Sequence, residues 1–110
     1  MIPIFTYGSL AEGDTYYSVV GRHPDGVPAR LSGYRVEQAR GYAFLVEEDG
    51  SEVEGILVRN VQTPDYWVLD DYQGTAQGLY ERRTVTVRAG DQPVEAVTYV
   101  GGPMMGRVAE

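Results

Sequence analysis

The tetrapeptide Tyr7-Gly8-Ser9-Leu10 is the first segment of the sequence whose residue types could do chemistry. It directly follows a short apolar run, and Gly8 can adopt backbone angles that other residues avoid. Successive backbone N–H groups in such a turn can form a small nest that binds an anion. The segment therefore predicts either a site for a carboxylate or an oxyanion, or an ordinary tight turn.

A second polar region lies near the middle of the chain. Residues 69–74 read Leu-Asp-Asp-Tyr-Gln-Gly at the end of a predicted short helix, and residues 79–83 read Leu-Tyr-Glu-Arg-Arg at the start of a predicted strand. The loop between them, residues 75–78, is flanked by glycines, and this flexibility favours a small lid.

Several reaction types are excluded because the residues they need are absent. All nine basic residues are arginine, so no lysine is available for a Schiff base or a Walker-type phosphate contact. The chain has no cysteine, which excludes disulfides, thiolate metal sites and cysteine nucleophiles. A reducing, cytoplasmic location is the simplest expectation.

The charge balance argues against polyanionic partners. The net charge is −7, and the sequence pI is near 4.6, so phosphate backbones and anionic membrane surfaces are repelled. The first residues lack a basic leader, and their apolar run is too short for a signal peptide or a membrane span. We therefore expect a soluble protein without nucleic-acid or membrane partners.

The elements that must position these segments are short strands, interrupted by fourteen glycines and six prolines. Alternating and β-prone runs predict strands at residues 2–6, from about 27, 42–46, 52–59, 79–89 and 94–100. The Asp49-Gly50 pair predicts a tight hairpin between the third and fourth of them. Residues 89–92 predict a second hairpin. Most of the nine tyrosines should fill the core, with one or two at the mouth contacting a ligand.

Two short helices are predicted. One begins at about Asp14 and is limited to two turns by the glycines and prolines that follow, and the other runs from an N-cap at Thr63 to about Asp71. The predicted fold class is α+β, a small and mostly antiparallel β-barrel-like domain with one or two short helices. It occupies residues 1–100, and residues 101–110 are predicted to be a loose tail.

Five segments of the chain resemble segments of the γ-glutamylcyclotransferase-like family, of the AIG2-like or γ-glutamylamine cyclotransferase type. They occur in the same order along the chain as in the family. Residues 31–34, Leu-Ser-Gly-Tyr, are similar to the family's Leu-Pro-Gly-Tyr strand, and residues 53–55, Val-Glu-Gly, to its Val-x-Gly strand. The other three are residues 7–10, residues 69–74 and the strand that begins at residue 79. The resemblance covers about residues 4–100.

The resemblance implies a small-molecule γ-glutamyl substrate, with Tyr7, Gly8, Ser9 and Leu10 around its glutamyl end and Tyr80 near the pocket. The substrate's α-amine would attack its own side-chain amide carbonyl, which releases an amine and 5-oxoproline. No metal or cofactor is implied, because the attack is intramolecular and needs folding of the substrate, a base and an oxyanion site. The arginines nearest the motifs, Arg35, Arg40 and Arg82, are candidates to bind a carboxylate.

The sequence departs from the family at the general base. The family has a glutamate where this chain has Gln73, and a carboxamide accepts no proton at neutral pH. Without that base we expect a slow or inactive cyclotransferase. Three explanations are open: a natural change that leaves a binding protein, an engineered change, or a stand-in base among Asp70, Asp71 and Glu81, of which Asp71 is the least unfavourable.

Two other functions compete with catalysis. The first is a non-catalytic module that holds a γ-glutamyl or other carboxylate ligand, or a protein partner, in the same pocket. The second is RNA binding, because residues 40–45, Arg-Gly-Tyr-Ala-Phe-Leu, are similar to the RNA-recognition octamer. The negative charge and the lack of room for a full helix at residues 11–26 argue against RNA. The sequence leaves the oligomeric state open.

Overall fold

The computed structural model describes residues 1–105. Within them, five strands form a closed barrel, and two α-helices pack against it, which confirms the predicted fold class. The strands are β1 Ile4–Thr6, β2 Gly26–Ala39, β3 Tyr42–Val58, β4 Tyr80–Ala89 and β5 Gln92–Gly101. The helices are α1 Gly13–Val20 and α2 Thr63–Tyr72, with short 3-10 helices at Gly8–Ala11 and Thr75–Gln77.

The barrel closes through a strand order of β1, β3, β2, β4 and β5. The neighbours in this order pair antiparallel, as expected for strands joined by tight turns. Strand β5 completes the ring by parallel bridges from Val97 to Ile4 and from Val100 to Leu45. The first contact joins the first and last strands of the described chain, and the second joins β5 to β3.

The predicted hairpin at Asp49-Gly50 is wrong. Residues 42–58 form one long strand, and both of its halves pair with β2, up to Tyr34 opposite Glu47 and from Ser32 opposite Glu52. The chain instead reverses at Arg40 and Gly41, whose φ angles of 51° and 83° suit a tight turn between antiparallel strands. Residues 48–51 remain as an excursion within β3, because long pairing with β2 outweighs the local turn signal.

Both helices begin and end close to the predicted residues. Helix α1 ends where Gly21 adopts a left-handed conformation with φ 84°. Helix α2 has Pro64 in its first turn, as predicted, but its N-cap is Gln62 rather than Thr63. Gln62 and Asp65 form a reciprocal capping box, and the long amide side chain of Gln62 reaches the third helical N–H.

The core has two parts that share the barrel wall. Inside the barrel, apolar side chains from all five strands meet, among them Phe5, Leu31, Leu57, Val87 and Val100. The second part lies between the barrel and the helices and includes Tyr16, Leu69 and Tyr99. Phe44, one of the aromatics of the RNA-like octamer, belongs to this second part and is 5% exposed, so it is not available to stack on a base.

A glycine allows β1 to lie close to β3. A Cβ atom at Gly55 would collide with the carbonyl oxygen of Thr6 and with the ring of Phe5. The side chain of Thr6 donates a 2.9 Å hydrogen bond to the carbonyl of Ile56 beside this contact. The Val-Glu-Gly segment thus fixes the point at which β1 ends and the following loop begins.

The first residues of the predicted loose tail are packed on the domain. Met105 is 2% exposed and belongs to the core. The backbone N–H of Gly102 donates to the carbonyl of Leu79, and that of Met104 donates to the carbonyl of Gly78. The remaining tail residues, 106–110, lie outside the described residues. Among residues 1–105, no helix is both long and apolar enough to cross a membrane.

Candidate functional site

A cavity of about 510 Å³ opens at one end of β1. Its floor consists of buried residues of β1 and β5, including Ile4, Phe5 and Tyr99. Six of the residues singled out from the sequence line it: Tyr7, Gly8, Ser9, Leu10, Gln73 and Tyr80. Three segments that are distant in the sequence therefore meet in one place.

The loop after β1 presents its backbone N–H groups at this cavity. Tyr7 is still extended, and Gly8 starts the 3-10 helix with a φ of 60°, which favours glycine. The first N–H groups of a helix have no acceptor within it. Gly8, Ser9 and Leu10 line the cavity, and their role as donors to a carboxylate or an oxyanion stays a prediction.

The hydroxyl groups of Tyr7 and Tyr80 donate to the backbone. Tyr7 donates a 2.6 Å hydrogen bond to the carbonyl of Tyr99, and Tyr80 donates a 2.8 Å bond to the carbonyl of Ala43. Burial, together with the neighbouring Tyr42 and Tyr72, raises the pKa of Tyr80 to about 12. Burial, with Tyr80 nearby, also raises the pKa of Tyr7 well above its usual value. Both phenols are neutral at pH 7, and the backbone of Leu45 already hydrogen-bonds to the oxygen of Tyr7.

Gln73 occupies the C-terminal end of α2. Its backbone N–H donates to the carbonyl of Leu69, and the chain then turns away at Gly74, whose φ is 65°. The residue is 9% exposed and lines the cavity. The position where the sequence resemblance places a base is therefore a buried position facing ligand space, but it holds a neutral amide.

None of the three carboxylates considered as a stand-in base lines the cavity. Asp70 accepts a 2.7 Å hydrogen bond from the hydroxyl of Tyr99 and lies 3.5 Å from a guanidinium nitrogen of Arg82. Asp71 is exposed on the outside of α2. Glu81 is exposed and lies 3.7 Å from Arg83. The described chain offers no carboxylate in the place of the missing one.

The arginine candidates are also outside the cavity. Arg35 lies 3.2 Å from Glu48, and Arg82 pairs with Asp70. Arg40 belongs to the β2–β3 turn and is not a lining residue. Within residues 1–105, no group of three or more metal-ligating side chains is arranged to hold an ion.

Three tyrosines that line the cavity are not among the site residues predicted from the sequence. Tyr42, Tyr72 and Tyr99 all border the cavity. Tyr72 directly precedes Gln73, and Tyr42 directly follows the turn that the sequence did not predict. The sequence indicated that one or two tyrosines would border the mouth, but only the closure of the barrel determines which ones.

A family model and curated relatives match most of the chain. Residues 4–108 match the family described as γ-glutamyl cyclotransferase, AIG2-like. An AIG2-like protein C of Arabidopsis thaliana is 30% identical in an alignment of 101 positions, which covers 88% of this chain and 57% of the relative. A second relative from the same organism, protein AIG2 C, is 33% identical and is covered over 59% of its length. The chain thus spans less than two thirds of these curated relatives.

Solved structures share the fold. The solution structure of an Arabidopsis thaliana protein superposes with a TM-score of 0.78 at 32% identity and covers 91% of this chain and 61% of that one. A structure named γ-glutamyl cyclotransferase has a TM-score of 0.78 at 19% identity, with 91% of this chain and 66% of that one covered. At that identity the second similarity concerns the fold alone.

Proposed function

The chain belongs to the AIG2-like γ-glutamyl cyclotransferase family, and from this premise we propose that its cavity binds γ-glutamyl compounds and folds them for cyclisation to 5-oxoproline. One observation carries the proposal: the loop at residues 7–10, Gln73 and Tyr80 line a single cavity of about 510 Å³. That volume lies within the range of small-molecule sites.

The reaction is an intramolecular acyl transfer. The α-nitrogen of the substrate forms a bond to its γ-carbonyl carbon, and the bond from that carbon to the leaving nitrogen breaks. The α-ammonium gives up two protons in becoming the lactam N–H, and the leaving nitrogen takes up two in departing as an ammonium. Because both reacting groups belong to one molecule, orientation alone supplies much of the acceleration.

The lining residues suit two of the three tasks of such a site. The backbone N–H groups of residues 8–10 are donors for the glutamyl end and for charge that develops on the γ-oxygen. The oxygen of Tyr80 can accept from the α-ammonium, since its own proton is bound to a backbone carbonyl. The hydroxyls of Tyr7 and Tyr80 are held by hydrogen bonds to backbone carbonyls, so these two side chains need little reorganisation on binding.

The third task, proton removal, is unfilled. Gln73 can hydrogen-bond to the α-amine but cannot take its proton at neutral pH. Loss of a positioned general base typically lowers the rate by about 10²- to 10⁴-fold. The chain therefore acts as a slow cyclotransferase, in which binding and folding of the substrate are intact and proton transfer relies on water.

A second function is favoured by the same residue. A neutral amide at a 9% exposed position can hold a ligand in place by hydrogen bonds without turning it over. In this case the protein is a binding module for γ-glutamyl compounds, and turnover by the native chain is absent rather than slow.

The experiment is to measure 5-oxoproline release and substrate binding for the native chain and for Gln73→Glu. The matched control is Gln77→Glu, which makes the same chemical change on the exposed 3-10 helix that follows and does not line the cavity. We expect Gln73→Glu to accelerate release by about 10²-fold or more, and Gln77→Glu to leave it unchanged.

The remaining outcomes separate the candidates. The protein is a binding module built on a cyclotransferase site if the native chain binds the substrate without turning it over and only Gln73→Glu releases 5-oxoproline. Folded native and variant proteins that bind no γ-glutamyl compound contradict the proposal altogether.

A further inference from the structure

We propose that the mouth of this cavity selects γ-glutamyl compounds whose γ-amide nitrogen carries an uncharged aromatic substituent, and that it rejects substituents that carry a carboxylate. The inference rests on the proposed function, because it concerns the part of the substrate beyond the γ-glutamyl group. Its basis is the exposure, the charge and the aromatic content of the lining residues.

Exposure separates the floor of the cavity from its mouth. Ile4 and Phe5 are each 1% exposed and form the floor, whereas Tyr42 is 37% exposed and Tyr72 is 50% exposed. A substituent on the γ-amide nitrogen is the variable part of a γ-glutamyl compound and must extend toward solvent. Gly8, Ser9, Gln38 and Gly41 also line the cavity and are exposed, but among the exposed lining residues only Tyr42 and Tyr72 offer an aromatic ring to such a substituent.

The two tyrosines lie close to each other and to the reacting end of the site. Tyr72 is the neighbour of Gln73 in the chain, and Tyr42 precedes Ala43, whose carbonyl accepts the hydrogen bond of Tyr80. Both tyrosines also act electrostatically on Tyr80, which places all three phenols near one another. An aromatic substituent on the γ-amide nitrogen would therefore lie close to an aromatic ring of the lining.

The lining carries no charged side chain. The sixteen described residues that border the cavity are apolar, glycine, hydroxyl-bearing or amide-bearing. Arg82, one of the nearby cations, is held by Asp70 and lies 5.2 Å from the centre of the Tyr66 ring, outside the lining. A second carboxylate on the leaving group would lose its water without gaining a cation, at a cost in binding.

The net charge of the whole chain also disfavours a carboxylate on the leaving group. With a net charge of −7, the protein repels a γ-glutamyl dipeptide, whose two carboxylates and one ammonium leave it a net anion, more than it repels a γ-glutamyl amine, which is a net-neutral zwitterion. Contact between an aromatic leaving group and the tyrosine faces adds attraction that a methyl group cannot provide. Both effects favour an aromatic amine without a carboxylate.

Three probes test the inference: γ-glutamyl benzylamide, γ-glutamyl phenylalanine and γ-glutamyl methylamide. The first two differ by one carboxylate, and the first and third differ by one aromatic ring. Dissociation constants for the native chain are measured by calorimetry, and turnover is measured with Gln73→Glu. We expect the benzylamide to bind about 10-fold more tightly than either of the others.

Variants assign the effect to the mouth. The change Tyr72→Ala, alone and with Tyr42→Ala, should reduce the preference for benzylamide over methylamide to less than about threefold, whereas Tyr72→Phe should keep it. Trp67→Ala is the matched control, because Trp67 lies on the same helix, is 66% exposed and does not border the cavity. Circular dichroism and thermal unfolding verify that each variant is folded.

The outcomes distinguish the two proposals. If none of the probes binds to the folded native chain, the proposed function fails. If the methylamide binds but the benzylamide binds no more tightly, or if γ-glutamyl phenylalanine binds as tightly as the benzylamide, the proposed function survives and the inference about the leaving group is overturned. The inference would also be overturned if γ-glutamyl phenylalanine binds more tightly than the benzylamide and loses this advantage in Arg40→Gln. That result would identify a cation at the mouth.

Discussion

The hydroxyl of Tyr99 donates a 2.7 Å hydrogen bond to a carboxylate oxygen of Asp70, which ties β5 to α2 beneath the candidate site. The other oxygen of Asp70 lies 3.5 Å from Arg82. Burial, followed by the bond to Asp70, raises the pKa of Tyr99 far above its usual value. Asp70 is thus a structural acceptor and is occupied on both oxygens.

This arrangement predicts the behaviour of Asp70→Asn. The substitution removes the charge from a hydrogen bond to a buried phenol, so we expect the free energy of unfolding to fall by about 1–2 kcal/mol. Residual 5-oxoproline release should change by much less than the roughly 10²-fold that loss of a base would cause. Urea unfolding and a product assay measure the two effects, and Asp71→Asn, on the exposed side of α2, is the control. A large loss of turnover with intact folding would identify Asp70 as the base.

Gly8 provides a test of the anion-binding loop. Its φ is 60°, and an added Cβ would lie at an ordinary 3.6 Å from the Cβ of Ala43, so Gly8→Ala strains the backbone without a collision. The cost of a non-glycine residue in this conformation is roughly 1–2 kcal/mol. Gly90 has a φ of 62° in the β4–β5 turn, with nothing within 4 Å of an added Cβ.

The two alanine variants should therefore lose similar stability and differ in binding. We expect Gly8→Ala to weaken binding of γ-glutamyl methylamide by about 10-fold, the equivalent of losing one hydrogen bond to a charged group. Gly90→Ala should bind like the native chain. Calorimetric titration of both proteins below their unfolding temperatures measures the two dissociation constants. Equal dissociation constants would mean that the loop at residues 7–10 does not contribute to ligand binding.

High pH should unfold the protein through its buried phenols. Burial raises the pKa of Tyr16 and of Tyr80 from 10.0 to about 12. Because these groups ionise more easily in the unfolded chain, the stability they contribute is complete below pH 10 and is lost as the pH rises from about 10 to about 12. The chain has no lysine or cysteine to titrate over this interval. Thermal midpoints should change little from pH 8 to about 10 and fall between about 10 and about 12, and a flat profile over that second interval would contradict the buried, neutral state of these tyrosines.

Variants assign this alkaline loss to particular residues. Tyr16→Phe should flatten the fall of the thermal midpoint above pH 10, since its ionisation can no longer favour the unfolded chain. Tyr17→Phe removes a tyrosine that is 44% exposed from the same helix and is the matched control. Equal slopes in both variants would show that Tyr16 does not contribute.

The Gln73→Glu protein should have a lower free energy of unfolding than the chain with glutamine at this position. The position is 9% exposed and lies at the C-terminal end of α2, where the helix dipole disfavours a negative charge by about 0.3–1 kcal/mol. Both effects raise the pKa of the introduced carboxyl in the folded state. The destabilisation of Gln73→Glu is therefore expected to be small at pH 4 and to grow as the pH rises above about 4.3, the usual glutamate value.

Urea unfolding of the native and Gln73→Glu proteins at several pH values tests this dependence. Gln77→Glu again serves as the control, because its side chain is exposed. A stability difference that stays constant with pH would mean that the carboxyl at position 73 does not experience the helix end or the buried surroundings.

Local patterns were sufficient to predict some elements and misleading for others. Pro64 and its neighbours indicated the start of α2 to within one residue, since helix capping depends on adjacent side chains. The alternation after Leu79 indicated β4, because a half-buried strand shows its pattern directly. Asp49-Gly50 was misleading, because β3 gains more from pairing with β2 along its whole length than from folding on itself.

The candidate site shows the same division. The loop at residues 7–10 and the polar end of α2 are contiguous in sequence, so a motif could indicate them. The positions of Tyr42 and Tyr99 depend on where a turn falls and on how the barrel closes, and these are long-range properties. The hydrogen bond that Asp70 accepts from Tyr99 also joins residues distant in the sequence, so no local pattern could predict it.

The closure of the barrel by β5 also has a consequence for folding. The floor of the cavity forms only when β5 meets β1, through the pairing of Val97 with Ile4 and the 2.9 Å hydrogen bond from Thr98 to the carbonyl of Phe5. Contacts between such distant parts of a chain are slow to form and depend on everything between them. A partly folded chain or a nascent chain without β5 has no ligand site. Ligand binding therefore reports completed folding, and by mass action a bound ligand holds the two strands together.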